Sequence, residues 1–149
     1  MAESPNWQDL KKIPLFSDLT ENEIYQVMKL SFEKKYPKDS TLFVEGMAGE
    51  VLYIIKAGAV EIIKKTEKGE VVLSTLGPGE FLGELSLIDD SKRSATARVS
   101  ADSFLVVITK KCFQDMLKGD PLITSKLLMH FLKVTAGRLR ATDKRLEML

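Results

Sequence analysis

The chain has 149 residues, 44% of them hydrophobic, which suits one packed core and one domain and argues against a multidomain enzyme. Its 22 basic and 21 acidic residues leave a formal charge of +1, so there is no general electrostatic pull toward nucleic acid or an anionic membrane. The single cysteine, Cys112, excludes an intrachain disulfide and reads as a small buried hydrophobe; no apolar run approaches the ~20 residues that cross a bilayer. The opening MAESPNWQDL lacks the charged and apolar regions of a signal peptide, and a soluble, cytoplasmic protein is expected.

The first segment, 7–33, has helical character. Ser17 or Thr20 can cap it, Glu23 stands three after Thr20, and Ile24, Val27, Met28 and Phe32 share one face, with Pro14 dividing the segment in two. Over 36–110 the pattern changes to short β-rich runs: TLFVEG, VLYIIKAGAVEII, VVLSTLGPGEFLG, SATARVSA and SFLVVIT. Gly46, Gly49, Gly58, Gly69, Gly77 and Gly79 punctuate them as turn residues. This regular alternation predicts a mainly β fold, a barrel or sandwich of jelly-roll type with flanking helices.

The region 111–149 returns to a helical pattern, with Asp120-Pro121 as a helix opening. Leu128, Leu132, Thr135, Leu139, Thr142, Leu146 and Leu149 alternate four- and three-residue steps, the spacing of a coiled-coil seam. A second stripe, Leu127, Phe131 and Val134, runs beside it. One helix with two apolar faces can pack on its own β core and on a partner together. We expect a homodimer through Leu128, Leu132, Leu139, Leu146 and Leu149, the alternative being a single docked helix with a wide stripe.

The most informative stretch runs from Phe81 to Val99, FLGELSLIDDSKRSATARV. Gly83 lets the backbone approach a ligand, and Glu84 to Leu87 reads as a short helix whose first N–H groups lack partners within the helix and attract phosphate. Arg93 offers a forked, permanently charged contact to the same phosphate, and Glu84 can accept hydrogen bonds from ribose hydroxyls. Taken singly, Arg93 would be a solvated surface charge and Glu84 an ordinary acid at a helix start; their joint placement is what points to a site.

Catalytic chemistry finds no support. His130, the only histidine, has no Cys, His or acid cluster around it, which argues against metal and against a metal-dependent cupin of similar architecture. Ser86 and Ser94 have no histidine at a recognisable spacing, so we expect no enzyme.

Gly-Glu-Leu-Ser-Leu followed by Arg-Ser-Ala-Thr closely resembles the phosphate-binding cassette of cyclic nucleotide-binding domains. The early Leu-Lys-Lys-Ile-Pro-Leu-Phe, the Glu45-Gly46 turn, Tyr53-Ile54-Ile55 leading to Gly58, and Gly79 to Glu84 extend that resemblance over nearly the whole chain. It covers the sensor half of the bacterial cAMP receptor protein family and the regulatory domains of cyclic-nucleotide-dependent kinases and channels. The resemblance implies one domain over 1–149: an eight-stranded β-roll with an N-terminal helical segment and a long C-terminal helix that covers the nucleotide.

Residue by residue, it implies that Glu84 holds the ribose 2′-hydroxyl and that the backbone of Gly83, Glu84 and Leu85 lies near sugar and phosphate. Arg93 would bind the cyclic phosphate, Ser94 would add a donor, and Ala95 would give close approach. Phe81 and Ser86 complete the cassette. Leu73 and Leu76 match positions lining sugar and base, Thr142 matches the helix threonine that contacts adenine, and Asp143 stands where the family often has a serine from the second subunit. Serine after the arginine, together with Thr142, favours cAMP, with cGMP possible as ligand; in the family threonine at that position accompanies cGMP.

The transcription-factor relatives carry a helix-turn-helix after the long helix, whereas this sequence stops at Leu149 with that helix still running. The basic residues Lys133, Arg138, Arg140, Lys144 and Arg145 read as a solvated flank, and direct DNA binding is not expected. Three functions stay open at this point: a ligand-controlled sensor acting on a dimer or downstream protein, the sensor half of a transcription factor, and a β-roll interaction scaffold that needs no ligand.

Overall fold

A computed structural model of the chain describes residues 10–148. After a 3-10 turn at Pro14–Phe16 come α1 (Glu21–Lys29), β1 (Phe32–Tyr36), β2 (Thr41–Phe43), β3 (Val51–Thr66), β4 (Gly69–Leu76), β5 (Phe81–Leu82), α2 (Leu85–Ile88), β6 (Thr96–Thr109), α3 (Lys110–Gly119) and α4 (Pro121–Glu147). The start of the predicted helical segment, with Trp7, and Leu149 of the predicted seam lie outside the described residues.

The helix ends follow their capping chemistry. Thr20 and Glu23 form a reciprocal capping box at α1, with the Thr20 amide donating to Glu23 at 2.9 Å and the Glu23 amide donating to the Thr20 hydroxyl at 3.2 Å. Thr109 accepts from the Cys112 amide to start α3, leaving Cys112 half-buried, and Asp120 accepts from the Ile123 amide ahead of Pro121 at the start of α4.

The strands form one antiparallel sheet in the order β1-β6-β3-β4, with β2 also paired to β6 and β5 to β3. Two long strands, β3 and β6, are its spine, and their period-two alternation separates two cores. Leu52, Ile54, Val106 and Ile108 face the helical layer of Ile24, Val27, Phe113, Ile123, Leu127 and Phe131. Tyr53, Ile55, Leu105 and Val107 face the inside of the roll, beside Val60, Leu76, Leu82, Ala97 and Val99. Burial on both faces explains the unbroken apolar runs at 51–55 and 104–108.

Three expectations are corrected. Among the described residues the sheet has six strands, not eight, because β3 and β6 stay paired through register shifts around Ala57 and Ala59. For the same reason Gly58 lies inside β3, where the Ser103 hydroxyl accepts from the Ala59 amide at 3.1 Å. Phe32, expected on the helical face, opens β1 opposite Val107 and is 51% exposed; strand structure thus begins before residue 36.

α4 packs its Leu127 and Phe131 face on the roll and leaves Leu132, Leu139 and Leu146 exposed. Among the described residues no helix is long and apolar enough to cross a membrane.

Candidate functional site

β5 pairs with β3, Leu82 opposite Tyr53, and so delivers the chain to the inner face of the roll just before Gly83. Gly83 has φ +89°, and a Cβ there would stand 2.5 Å from Arg93 Nη1 and 2.7 Å from the Val51 carbonyl oxygen. Only glycine satisfies both the left-handed turn and that approach. The chain then enters α2, with the Leu87 amide bonded to the Glu84 carbonyl at 3.2 Å. The following loop is tied down by Lys110, whose ammonium donates to the Asp89 carbonyl at 3.0 Å and to Asp90 at 2.7 Å.

Arg93 is anchored through both ends. Its amide donates to the Met47 carbonyl at 2.8 Å, and its carbonyl accepts from the Gly46 amide at 2.9 Å, which gives the Glu45-Gly46 turn its place in the site. The residue is only 7% exposed. Nη2 donates to the Val51 carbonyl at 2.7 Å, and the guanidinium carbon lies 4.1 Å from the centre of the Phe43 ring. A Cβ at Gly49 would come within 3.0 Å of Nε.

No carboxylate among the described residues forms an ion pair with Arg93, and its Nε is buried without a hydrogen-bond partner. Burial pushes its pKa down, with Tyr53 and Glu84 opposing, but a guanidinium keeps its charge at neutral pH. The site therefore presents a desolvated cation with donor capacity to spare.

Glu84 is 6% exposed and is held from the other side. Its Oε1 accepts from Arg138 Nη1 at 3.2 Å and from the Thr135 hydroxyl at 3.4 Å, while Arg138 Nη2 donates to the Phe81 carbonyl at 2.9 Å. The long helix α4 is thereby joined to the loop that carries Gly83.

These groups line a cavity of about 500 Å³. Phe43, Ile62, Leu76 and Leu82 form an apolar wall; Glu84, Arg93 and Arg138 bring charge to it, with Asp89 and Lys92 also on the lining. An apolar wall facing a few converging polar groups suits a small amphiphilic anion that also carries hydroxyls. A second cavity of about 440 Å³, by Tyr36, Ala57 and Phe104, has no such convergence. Its buried Ser103 hydroxyl is spent on the Ala59 amide and the Ala101 carbonyl.

Of the residues singled out from sequence, Leu76, Gly83, Glu84, Leu85, Ser86, Arg93, Ser94 and Ala95 meet in this cavity. Four do not line it. Leu73 is 51% exposed on β4; Phe81 turns its ring into the core against Phe131, at 5.0 Å, and meets the site through its carbonyl and through Arg138, whose guanidinium carbon is 5.3 Å from the ring centre. Thr142 donates to the Arg138 carbonyl of its own helix, and Asp143 is exposed. His130 packs near the Phe81 ring at 6.3 Å, where burial lowers its pKa.

Arg138, expected in a solvated basic flank, instead lines the cavity on Glu84, and Phe43, Ile62, Ser74, Leu82, Asp89, Ser91 and Lys92 were not singled out from sequence. For Arg138 the signal was present: it continues the Leu127, Phe131, Val134 stripe by one further four-residue step, on the face that packs on the roll. Leu82 directly precedes Gly83 within the cassette stretch, whereas Phe43, Ile62 and Ser74 come from distant strands and carry no local mark.

The family model for the cyclic nucleotide-binding domain matches residues 33–120. The chain is 31% identical over 141 residues to the cyclic AMP receptor protein of Thermus thermophilus, covering 94% of this chain and 63% of that protein. It is 35% identical over 113 residues to the cAMP-activated global transcriptional regulator CRP of Salmonella typhimurium, covering 74% of this chain and 52% of the relative. It thus spans only part of both relatives. The crystal structure of a cyclic nucleotide-binding domain from Methylobacillus flagellatus superposes with a TM-score of 0.83 at 28% identity, covering 93% of this chain and 79% of that one.

Proposed function

The chain belongs to the family of cyclic nucleotide-binding domains, and on that premise we propose that it is a regulatory sensor, not a catalyst, that binds cyclic AMP in the cavity beneath α4. The observation that carries the reading is Arg93: a buried cation with no carboxylate counter-charge is costly in a folded protein unless an anion completes it. A cyclic phosphodiester brings one negative charge and acceptor oxygens to the free edge of the guanidinium. The backbone of Gly83 to Leu85 lies near the sugar and phosphate, and Glu84 accepts from the ribose 2′-hydroxyl. Leu76 and Ile62 give the sugar and base an apolar wall, and Ser94 with Ala95 flanks the phosphate. Ser94 and Thr142 favour adenine over guanine.

The signal passes through α4. Glu84 is shared between the ligand and Arg138, so arrival of a ribose hydroxyl redistributes the hydrogen bonds that hold the helix to the cassette. Thr142 and Asp143, exposed in this setting, approach the base when the helix is drawn further over the cavity. The ligand shifts the helix only by its difference in affinity between two settings. The exposed Leu132, Leu139 and Leu146 stripe, with Leu128 beside it, joins two copies of the chain, and the helix setting is read as dimer geometry or by a downstream protein in the cytoplasm.

A second reading is favoured by one observation. The chain spans 63% of the Thermus thermophilus receptor protein and 52% of the Salmonella typhimurium transcriptional regulator, and the same sensor would then serve as the effector half of a transcriptional regulator.

Calorimetric titration of the ligand-free protein with cyclic AMP, cyclic GMP and 5′-AMP tests the proposal. Saturable binding of cyclic AMP, weaker binding of cyclic GMP and none of 5′-AMP are expected. Absence of binding by both cyclic nucleotides would overturn it and leave a β-roll scaffold that needs no ligand.

A further inference from the structure

The buried guanidinium of Arg93 needs some compensation in the ligand-free protein, and the structure supplies it in an unusual form. A carboxylate partner would neutralise the charge and occupy the N–H edge that a ligand has to use. A ring face does neither, because it attracts the cation through its quadrupole while leaving the in-plane donors free. Phe43 is placed to do this: its ring centre is 4.1 Å from the guanidinium carbon, closer than any other cation and ring in the described structure.

We infer that Phe43 is a positioning residue for Arg93, holding the guanidinium charged, flat and edge-on to the cavity before any anion arrives; the inference rests on the anion-site reading given above. The ring is itself fixed. β2 pairs with β6 through Phe43 and Ala97, and Tyr53 packs on Phe43 at 6.2 Å with the two rings tilted 31°. The Tyr53 hydroxyl donates to the neighbouring Leu42 carbonyl at 3.4 Å. On the other edge of the guanidinium, Nη2 is tied to Val51. Ring face and carbonyl together remove the torsional freedom that an arginine otherwise loses on binding. With Nη2 taken by Val51, Nη1 and the unpartnered Nε are the donors left for the ligand.

Phe43→Leu removes the face at similar bulk, and Phe43→Tyr retains it. Two readouts are taken on both variants: the ring-current shift of the Arg93 guanidinium protons in ligand-free protein by NMR, and affinity for cyclic AMP by calorimetry. The upfield shift present in the parent should vanish in the leucine variant and persist in the tyrosine variant. Affinity should fall about tenfold for leucine and stay within about twofold for tyrosine. A leucine variant that binds as tightly as the parent, or a tyrosine variant as weak as leucine, overturns the inference. Should leucine at 43 disrupt the fold, a ring-fluorinated phenylalanine at the same position weakens the face at constant shape; its ring-current shift should persist while its affinity falls as for leucine, and unchanged affinity overturns the inference. If the parent binds neither cyclic nucleotide, the anion-site reading fails, and the ring-current shift still decides whether Phe43 orders Arg93.

Discussion

Glu84 Oε1 and Arg138 Nη1 stand 3.2 Å apart, 54 residues apart in sequence, and join the ligand cassette to the last helix across the mouth of the roll. Arg138 is more exposed than Glu84, so removing the cation strands the more deeply buried partner. Arg138→Gln should lower unfolding free energy by about 1–3 kcal/mol and increase amide exchange in α4 beyond Val134. Urea denaturation and hydrogen exchange read the two effects. An unaltered α4 in Arg138→Gln would show that the pair does not hold the helix down.

Acid stability should depend on Glu23. The hydrogen bond from Lys126, aided by the Thr20 amide, holds its carboxyl below the ordinary glutamate value. A lowered folded pKa means that the stabilisation is complete above the unfolded value, about 4.3, and is lost as pH falls through the folded one. Glu23→Gln should therefore melt lower than the parent at neutral pH and show a shallower decline between about pH 5 and pH 3. Parallel acid limbs would deny Glu23 that role.

Leu139 is 62% exposed at the centre of the stripe that Leu132 and Leu146 extend. A charge there has no cost in a monomer but is desolvated in a seam. Leu139→Glu should remain folded and sediment as a monomer at concentrations where the parent is a dimer. A parent that is itself monomeric with ligand bound would reject the seam.

Ser94 lines the cavity beside Arg93. Ser94→Thr should raise the affinity for cyclic GMP relative to cyclic AMP by about 2- to 12-fold, the range of one hydrogen bond, which the added methyl favours by restricting the hydroxyl's rotamers. Competition titrations measure the ratio, and an unchanged ratio would remove Ser94 from the account of base choice.

Local chemistry made much of this chain legible. The capping box at Thr20 and Glu23, the Asp120-Pro121 opening and the Leu127, Phe131, Val134 stripe of α4 are patterns within a few residues, and all are found in the structure. Gly83, Glu84 and Arg93 were readable because one continuous cassette carries them. What escaped depends on pairing between distant segments. Phe32 continues the helical spacing of Met28, but its pairing with Val107 draws it into the sheet. Phe43 meets Arg93 only because a three-residue strand docks on β6. The resemblance implied eight strands, and the described residues form six because register shifts keep β3 and β6 continuous. Thr142 was placed at the base by resemblance, and in this setting of the helix its hydroxyl is spent on Arg138.

Arg93→Leu tests whether Arg93 is a buried cation kept for an anionic ligand, through two quantities measured on the same samples. Affinity for cyclic AMP should fall by about a hundredfold or more, because a buried charge contact to phosphate is lost. Thermal stability of the ligand-free protein should stay level or rise, because a desolvated charge without a carboxylate is replaced by an apolar group. A leucine variant that keeps its affinity for cyclic AMP, or one that loses stability as severely as it loses binding, would contradict the account.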